Sequence, residues 1–155
     1  MEFSPWVCYK VEPPCAVPGS ASLDYTHCYT MLAMDKVFFV LGALFAFLAV
    51  ALGAFGAHSL QGTFAAGMAD VYETGVKYQF YHALGLFAVA FAISRWKDAP
   101  VSLAGWLFVV GIVLFSGSLY VLSLTGVRWL GIVTPLGGLA FLAGWVILGI
   151  GVLRA

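Results

Sequence analysis

Four long apolar runs decide what this chain can fold into. They cover residues 37–57, 76–94, 101–124 and 132–153, and each matches the roughly 20 residues that a helix needs to cross a bilayer. Three of the runs contain no charged residue or histidine, and the second contains only Lys77 and His82, near its start. The pattern predicts an integral membrane protein with four transmembrane helices.

The composition supports the same class of protein. Of the 155 residues, 63% are hydrophobic and 9% are charged, and the mean hydropathy is +1.00. A soluble domain needs about a quarter of its residues charged to cover its surface. The net charge is zero and the basic residues are scattered, so nucleic acid is not an expected partner. The lipid bilayer is the expected surrounding.

The connections between the runs predict how the helices are arranged. The links over residues 95–100 and 125–131 are short, which makes neighbouring helices antiparallel. We therefore expect an all-α, up-down four-helix bundle; the alternating polarity of barrel strands is absent. Asp70 with Glu73 three residues later predicts an N-terminal cap for the second helix. Pro135 is expected in the first turn of the fourth helix.

Basic residues near the span ends predict the orientation. With the N-terminus inside, four of them lie on the cytoplasmic side and two, Lys77 and Arg128, on the outer side. The excess favours cytoplasmic termini and an outward-facing segment over residues 58–82. The four are Lys36, Arg95, Lys97 and Arg154.

The first 33 residues differ from the rest of the chain. They contain four prolines, which exclude a continuous helix, and all three cysteines, at spacings that match no common zinc site. Residues 1–33 are expected to be a disordered tail or an extension from a mis-assigned start codon, with Met31 or Met34 as the true first residue. Residues 34–155 are expected to form one four-helix transmembrane domain.

A polar segment between the first two runs carries the candidate functional residues. Glu73 and Lys77 are neighbours at i,i+4, and so are Tyr78 and His82, whereas Glu73 lies about half a turn round from His82. His58 and His82 are expected near the same membrane face, as hydrogen-bonded anchors of the loop. Ligand binding, a pH response or ligation of haem or metal are the alternatives. No third metal ligand is fixed by spacing, so no cofactor is expected.

Small residues recur at four-residue spacing on two of the predicted helices. These rows let helix backbones approach closely, within the bundle or between copies of the chain, or they form a groove for a lipid. The rows are Ala49, Gly53 and Ala57 in the first span and Ala140 and Gly144 in the fourth. No nucleophile–base arrangement or glycine-rich phosphate loop is present in the sequence. The chain is therefore not expected to be an enzyme or a charge-coupled pump.

Five segments of the chain form a recognisable set. They are Gly-Ala-Phe-Gly-Ala-His at 53–58, Tyr-Glu-Thr-Gly-Val-Lys-Tyr-Gln-Phe-Tyr-His at 72–82, Phe-Ser-Gly-Ser-Leu-Tyr at 115–120, Thr-Pro-Leu-Gly-Gly-Leu-Ala-Phe at 134–141, and Gly-Trp at 144–145. Together they resemble the domain-of-unknown-function 423 family, the YgdD-like small multi-pass proteins. The resemblance covers residues 34–153 and excludes the first 33. It implies a four-helix protein of the cell inner (plasma) membrane with no assigned activity and no catalytic residue to carry over.

These observations leave three functional hypotheses. The first is a non-enzymatic membrane protein that acts through helix packing, self-association or membrane partners. The second is a carrier or channel for a small neutral or lipid-like molecule, with residues 58–82 at its mouth. The third is a haem or metal protein, which a colourless, metal-free purified sample would exclude.

Overall fold

The structure is a computed structural model that describes residues 23–58, 60, 62–96 and 101–155, with side chains from Met34 onward. Within these residues all regular secondary structure is helical. The four stretches long and apolar enough to cross a membrane are Met34–His58, Met68–Arg95, Ser102–Thr125 and Arg128–Leu153. The predicted all-α fold with four spans is confirmed, and only Val101 of the predicted spans falls outside the observed ones.

The helices follow one another with short connections, so neighbours run antiparallel, as predicted for an up-down bundle. The third span is one continuous helical rod whose middle turn is a π-helix. The elements in chain order are α1 (Leu23–His58), α2 (Met68–Arg95), α3 (Ser102–Gly111), the π-helix (Ile112–Ser116), α4 (Gly117–Thr125), a turn of 3₁₀-helix (Arg128–Ile132) and α5 (Thr134–Leu153).

Helix α1 begins before the predicted first span. It starts at Leu23, so residues 23–33 have a helical backbone where lack of structure was expected. Residues 1–22 lie outside the described residues. The interpretation of residues 1–33 as an extension, and the start of the domain at residue 34, therefore stay predictions.

The start of α2 differs from the predicted cap. Gly67 precedes the helix with a φ of 77°, in the left-handed region that glycine adopts without strain, and no side chain caps the helix. The prediction that Asp70 is the N-cap is therefore wrong, because the helix already begins at Met68. Asp70 lies instead in the first turn, where its carboxylate still complements the helix dipole.

The third and fourth spans end and begin as their sequences indicate. Gly126 follows α4 with a φ of 71°, and its N–H donates to the carbonyl of Leu122 at 2.8 Å. This left-handed residue ends the helix in the way that glycine commonly does. Pro135 lies in the first turn of α5, as predicted, where no backbone donor is lost.

Helix α2 is the centre of the bundle. It contacts α1 on one side and α3, the π-helix and α4 on the other, while α5 packs mainly on α3 and the π-helix. Seven of its eleven buried positions follow alternating spacings of three and four, as in a coiled-coil seam. They are Tyr72, Gly75, Gln79, His82, Leu86, Val89 and Ile93. Two consecutive seam positions, Gln79 and His82, are thus polar.

Aromatic rings packed on glycines bring the helices close together. A Cβ on Gly105 of α3 would lie 2.5 Å from a ring carbon of Phe38, and a Cβ on Gly144 of α5 would lie 2.6 Å from the ring of Phe108. Neither ring has room to move, since both side chains are fully buried. Because lipid removes the hydrophobic drive for helix association, such close van der Waals contact stabilises the bundle.

The π-helix lies where the third span meets α5. A Cβ on Gly137 would lie 2.5 Å from the backbone nitrogen of Phe115, so the two backbones are in direct contact there. The hydroxyl of Ser116 is fully buried and has no hydrogen-bond partner within the described part of the chain. Single π-turns in α-helices often mark functional sites, and this one borders the polar residues of α2.

Candidate functional site

The charged residues of α2 indicate how deep its polar residues lie. Glu73 and Arg95 are about 33 Å apart along the helix, close to the ~30 Å thickness of the hydrocarbon layer. His82 lies about 14 Å from Glu73 and about 20 Å from Arg95, near the middle of the layer. His82 therefore lies fourteen residues into α2, well away from the start of the helix near which it was expected.

The two histidines are also far apart in depth. His58 is the exposed last residue of α1, and a short loop joins it to the start of α2. His82 lies about 21 Å further along α2. The expected placement of both histidines at one membrane face is therefore not found.

His82 uses both ring nitrogens inside the bundle. Its Nδ1 lies 2.8 Å from the carbonyl oxygen of Tyr78, and its Nε2 lies 3.2 Å from the indole Nε1 of Trp145 on α5. An indole N–H can only donate, so Nε2 accepts and Nδ1 carries the proton that goes to the carbonyl. The geometry thus specifies a neutral imidazole with the proton on Nδ1, and it links α2 to α5.

Aromatic rings enclose this imidazole. The ring of Phe141 stacks on it with 3.4 Å between centroids and 7° between planes, and Phe108 packs at 5.5 Å. Tyr78, which the sequence predicts on the same face as His82, stacks at 6.1 Å. His82 retains only 6% of its accessible surface. These contacts leave the imidazole one orientation.

One turn before His82, Gln79 joins three helices. Its amide nitrogen donates to the carbonyl of Phe45 on α1 at 2.9 Å, and its amide oxygen accepts from the Tyr120 hydroxyl on α4 at 2.9 Å. Together with the bond between His82 and Trp145, these contacts connect all four spans. We refer to the buried Gln79 and His82, with the half-buried Tyr120 and the 45% exposed Trp145 to which they bond, as the buried polar cluster.

Further hydrogen bonds lie closer to the end of the bundle where α2 begins. The Tyr72 hydroxyl donates to the carbonyl of Leu52 on α1 at 2.9 Å, and its ring lies 5.1 Å from that of Tyr120. The hydroxyls of Ser118 and Thr134 lie 2.8 Å apart and join α4 to α5. The interhelical hydrogen bonds therefore extend beyond the buried polar cluster toward the membrane surface.

Glu73 and Lys77 form an ion pair on the lipid-facing side of α2. The Lys77 Nζ lies 2.8 Å from Glu73 Oε1, and the two side chains are 55% and 62% exposed. The pair predicted from the i,i+4 spacing is present. It lies on a different face from His82, so the structure does not bring the five predicted polar residues into one cluster.

The predicted packing residues differ in burial. In α1, Ala49 is buried and Gly53 half-buried against Val76, but Ala57 is exposed, and the neighbouring Gly56 packs on the Tyr72 ring instead. In α5, Gly144 is buried and Ala140 is half-buried. The strict four-residue row thus fails at Ala57, because the contact line on α1 shifts by one position there.

A cavity opens sideways from the buried polar cluster toward the lipid. It has a volume of about 670 Å³ and lies between α2, the π-helix and α5. Its lining includes the exposed Tyr78, Tyr81 and Trp145 and the buried His82 and Phe141. Gly138 leaves part of the space free, since a Cβ there would meet Phe115 only at 3.8 Å. The size suits a small, mostly apolar molecule.

The described residues offer few side chains that could bind a metal or haem. No group of three or more histidine, cysteine, aspartate or glutamate side chains comes together within them. The ring nitrogens of His82 already bond to Tyr78 and Trp145. A metal at His82 would therefore have to replace one of these bonds.

Comparison with known proteins places the fold in a family. The model of the family described as protein of unknown function (DUF423) matches residues 52–138. The chain belongs to the DUF423 family. The UPF0382 membrane protein YwdK of Bacillus subtilis is 54% identical over 114 residues, which are 73% of this chain and 93% of that protein.

A second relative matches over a similar length of the chain. The UPF0382 membrane protein SSP2132 of Staphylococcus saprophyticus is 49% identical over 119 residues, 77% of this chain and 98% of the relative. No solved structure matches the chain. The names of these DUF423 relatives agree with the predicted membrane protein, and the resemblance found in the sequence is confirmed.

Sequence reasoning missed Gln79 and Trp145 as partners within the site. The signal for Gln79 was available, because it lies three residues before His82 and seven after Tyr72, on one face of α2. No such signal exists for Trp145, whose contact with His82 depends on how α5 packs across the bundle.

Proposed function

We propose that this DUF423 protein is a non-enzymatic protein of the cell inner (plasma) membrane that acts through its outer surface. The supporting observation is that the buried polar cluster bonds to itself and to the helix backbone. The hydrogen bonds of Gln79, His82, Tyr120 and Trp145 connect the four spans to one another. A site for chemistry needs polar groups free to contact a substrate, whereas these groups hold the helices in place.

The surface that best suits a partner is the outer face of α1. This span is the least buried of the four, since it packs along α2 and leaves its other sides open. Exposed residues on it recur at alternating spacings of four and three, the pattern of a helix–helix seam. They are Val40, Leu44, Phe47 and Ala51. We propose that a second copy of the chain packs here, α1 against α1.

Cysteine crosslinking in native membranes tests this self-association. With Cys8, Cys15 and Cys28 replaced by serine, single cysteines are introduced at Val40 and Phe47. Both positions are well exposed on α1. We expect crosslinked dimers at both positions, because a parallel seam brings equivalent residues together. The matched controls are cysteines at Val113 and Val146, which are similarly exposed on the π-helix and α5.

The pattern of crosslinks decides between a specific seam and random collision. Dimers at Val40 and Phe47 but not at Val113 and Val146 support the proposal. Equal crosslinking at all four positions, or none at the two α1 positions, contradicts it. The proposal also requires a dimer in mild detergent, where a bare monomer would count against it.

The lateral cavity supports a second candidate, the binding or carriage of a small, neutral, lipid-like molecule. The cavity opens to the lipid at the depth of His82 and Trp145, so an apolar molecule could enter directly from the bilayer. Only the last residues of the expected mouth at 58–82, from Tyr78 to His82, line it, and α5 and the π-helix form its other side.

A photoactivatable fatty alcohol tests occupation of this cavity. We expect the probe to label the wall formed by Tyr78 and Trp145, and Gly138→Leu to abolish the labelling by filling the space. Gly149→Leu is the matched control, because Gly149 lies on α5 with open space around it. Labelling that survives Gly138→Leu, or is lost equally in Gly149→Leu, would rule out this candidate.

A further inference from the structure

A groove along α1 and α2 runs from the interfacial loop down the lipid-facing side of the bundle. Its upper part is a cavity of about 460 Å³ between Phe64, Tyr72 and the ion pair of Glu73 and Lys77. Its lower part, about 500 Å³, continues past Phe80 and Tyr81. Both parts share Gly53, Val76 and Lys77 in their walls, so they adjoin, and we treat them as the two parts of one groove.

The groove combines an ionic end with an apolar floor. Side chains on a helix lean toward its N-terminus, so the Lys77 ammonium reaches up to the level of Glu73, as its 2.8 Å contact shows. Glu73 lies at the edge of the hydrocarbon layer if Arg95 marks the other edge. The ionic end is therefore at headgroup depth. The lower part lies at the depth of acyl chains, and its wall includes Ala49, Val50 and Ala54.

The two charges at the ionic end are opposite and close together. An ammonium at Lys77 attracts a phosphate, and a carboxylate at Glu73 accepts hydrogen bonds from a primary ammonium. An exposed i,i+4 ion pair contributes little to stability, so its partners can be exchanged for those of a ligand. A headgroup that carries both a phosphate and a primary ammonium would satisfy both side chains at once.

From this arrangement we propose that the groove binds one zwitterionic phospholipid with a primary ammonium, that is, phosphatidylethanolamine. The lipid phosphate pairs with Lys77 and its ammonium with Glu73. One acyl chain lies in the lower groove against Val76, Phe80 and Tyr81. Phosphatidylcholine fits less well, because its quaternary ammonium has no N–H to donate, and phosphatidylglycerol has no cation for Glu73. The site depends neither on self-association nor on the cavity beside His82.

Native mass spectrometry of the full-length protein with matched lipids tests the headgroup preference. The protein is titrated with phosphatidylethanolamine, phosphatidylcholine and phosphatidylglycerol that carry identical acyl chains. We expect phosphatidylethanolamine to be retained about three- to tenfold more than either other lipid, because only it makes charge-assisted hydrogen bonds with both side chains. Glu73→Gln and Lys77→Gln should each remove the preference. Asp70→Asn is the matched control, an exposed carboxylate of the same helix outside the groove.

A second pair of variants tests the groove itself. Ala54→Phe should fill the lower part and reduce retention of all three lipids, whereas Ala51→Phe, on the same helix but outside the groove, should not. Equal retention of the three lipids by the unaltered protein overturns the proposal. So does a preference that survives both Glu73→Gln and Lys77→Gln. Both side chains are exposed, so helix content by circular dichroism should be unchanged in these variants.

Discussion

At the scale of single residues, the bond between Trp145 and His82 is the one that a substitution tests most directly. Trp145→Phe leaves the buried Nε2 of His82 without a donor, and we expect it to lower the free energy of unfolding by about 1 kcal/mol. His82→Phe alone removes the acceptor but keeps an aromatic ring against Phe141. The measurement is unfolding of the purified protein in bicelles.

The double variant separates the hydrogen bond from the packing of the indole. If the bond stabilises the bundle, His82→Phe combined with Trp145→Phe costs less than the sum of the two single changes. Strict additivity would show that the 3.2 Å contact contributes nothing and that packing accounts for the whole effect.

On the other side of α2, the hydrogen bond between Gln79 and Tyr120 can be tested in the same way, by its effect on the free energy of unfolding. Gln79→Leu keeps the size of the side chain but leaves the Tyr120 hydroxyl without its acceptor, and we expect a loss of about 1–2 kcal/mol. Ser123→Ala is the control, because the Ser123 hydroxyl bonds only within α4, to the carbonyl of Tyr120. Equal losses in the two variants would contradict a role for Gln79 in joining helices.

At the scale of helices, replacing either of two glycines of α5 with alanine should have different effects on stability. A Cβ at Gly144 would press on the buried Phe108 ring, so Gly144→Ala should destabilise the protein by about 1–3 kcal/mol. Gly149 has open space around it, and Gly149→Ala should be neutral or slightly stabilising because alanine favours helix. Thermal unfolding of the two variants in the same detergent checks this. Destabilisation of the same size in both would show that the packing of α5 on α3 is not as described.

The π-helix should allow the deletion of one residue without loss of the fold. A π-turn holds more residues than an α-turn, so removing Val113 can convert Ile112–Ser116 to α-helix while side chains on both sides keep facing their partners. Deleting Val146, similarly exposed in α5, turns the rest of that helix by about 100°. We expect the first deletion to retain cooperative thermal unfolding and the second to lose it. If both deletions abolish it, the π-turn is needed for folding itself.

The sequence predicted the helices well and the contacts between them less well. The apolar runs predicted the four spans, and Pro135 predicted the start of α5, because hydrophobic length and backbone chemistry act locally. Asp70 was wrongly predicted as a cap because Gly67 starts the helix by its backbone conformation instead. His82 was placed too near the start of its span because the apolar run begins only at residue 76, whereas the helix begins at Met68.

At the scale of the whole molecule, α2 explains why polar side chains are tolerated in so apolar a chain. Its seam places Gln79 and His82 toward the bundle, where donors and acceptors from α1, α4 and α5 meet them. Its opposite side carries the exposed ion pair of Glu73 and Lys77. The ion pair lies within one helix and was predicted from its i,i+4 spacing, whereas the bonds of Gln79 and His82 to other helices depend on how the bundle packs and were not predicted.

The up-down topology predicts which loops share a membrane face. The loop after α1, with Gly62, and the turn after α4, with Gly126, lie at one end of the bundle, and Asp35 and Ala155 lie at the other. Single cysteines at these four positions, in a chain with Cys8, Cys15 and Cys28 replaced by serine, report the side on which each lies. The excess of basic residues at the second end predicts that this end is cytoplasmic.

An impermeant maleimide added to intact cells should therefore label cysteines at positions 62 and 126. Those at positions 35 and 155 should react only after permeabilisation, because the short connections of the bundle place them on the opposite face. The reverse pattern would keep the bundle and overturn only the orientation. Different labelling of positions 62 and 126 would contradict the topology itself, because an up-down bundle places both of these connections at the same end.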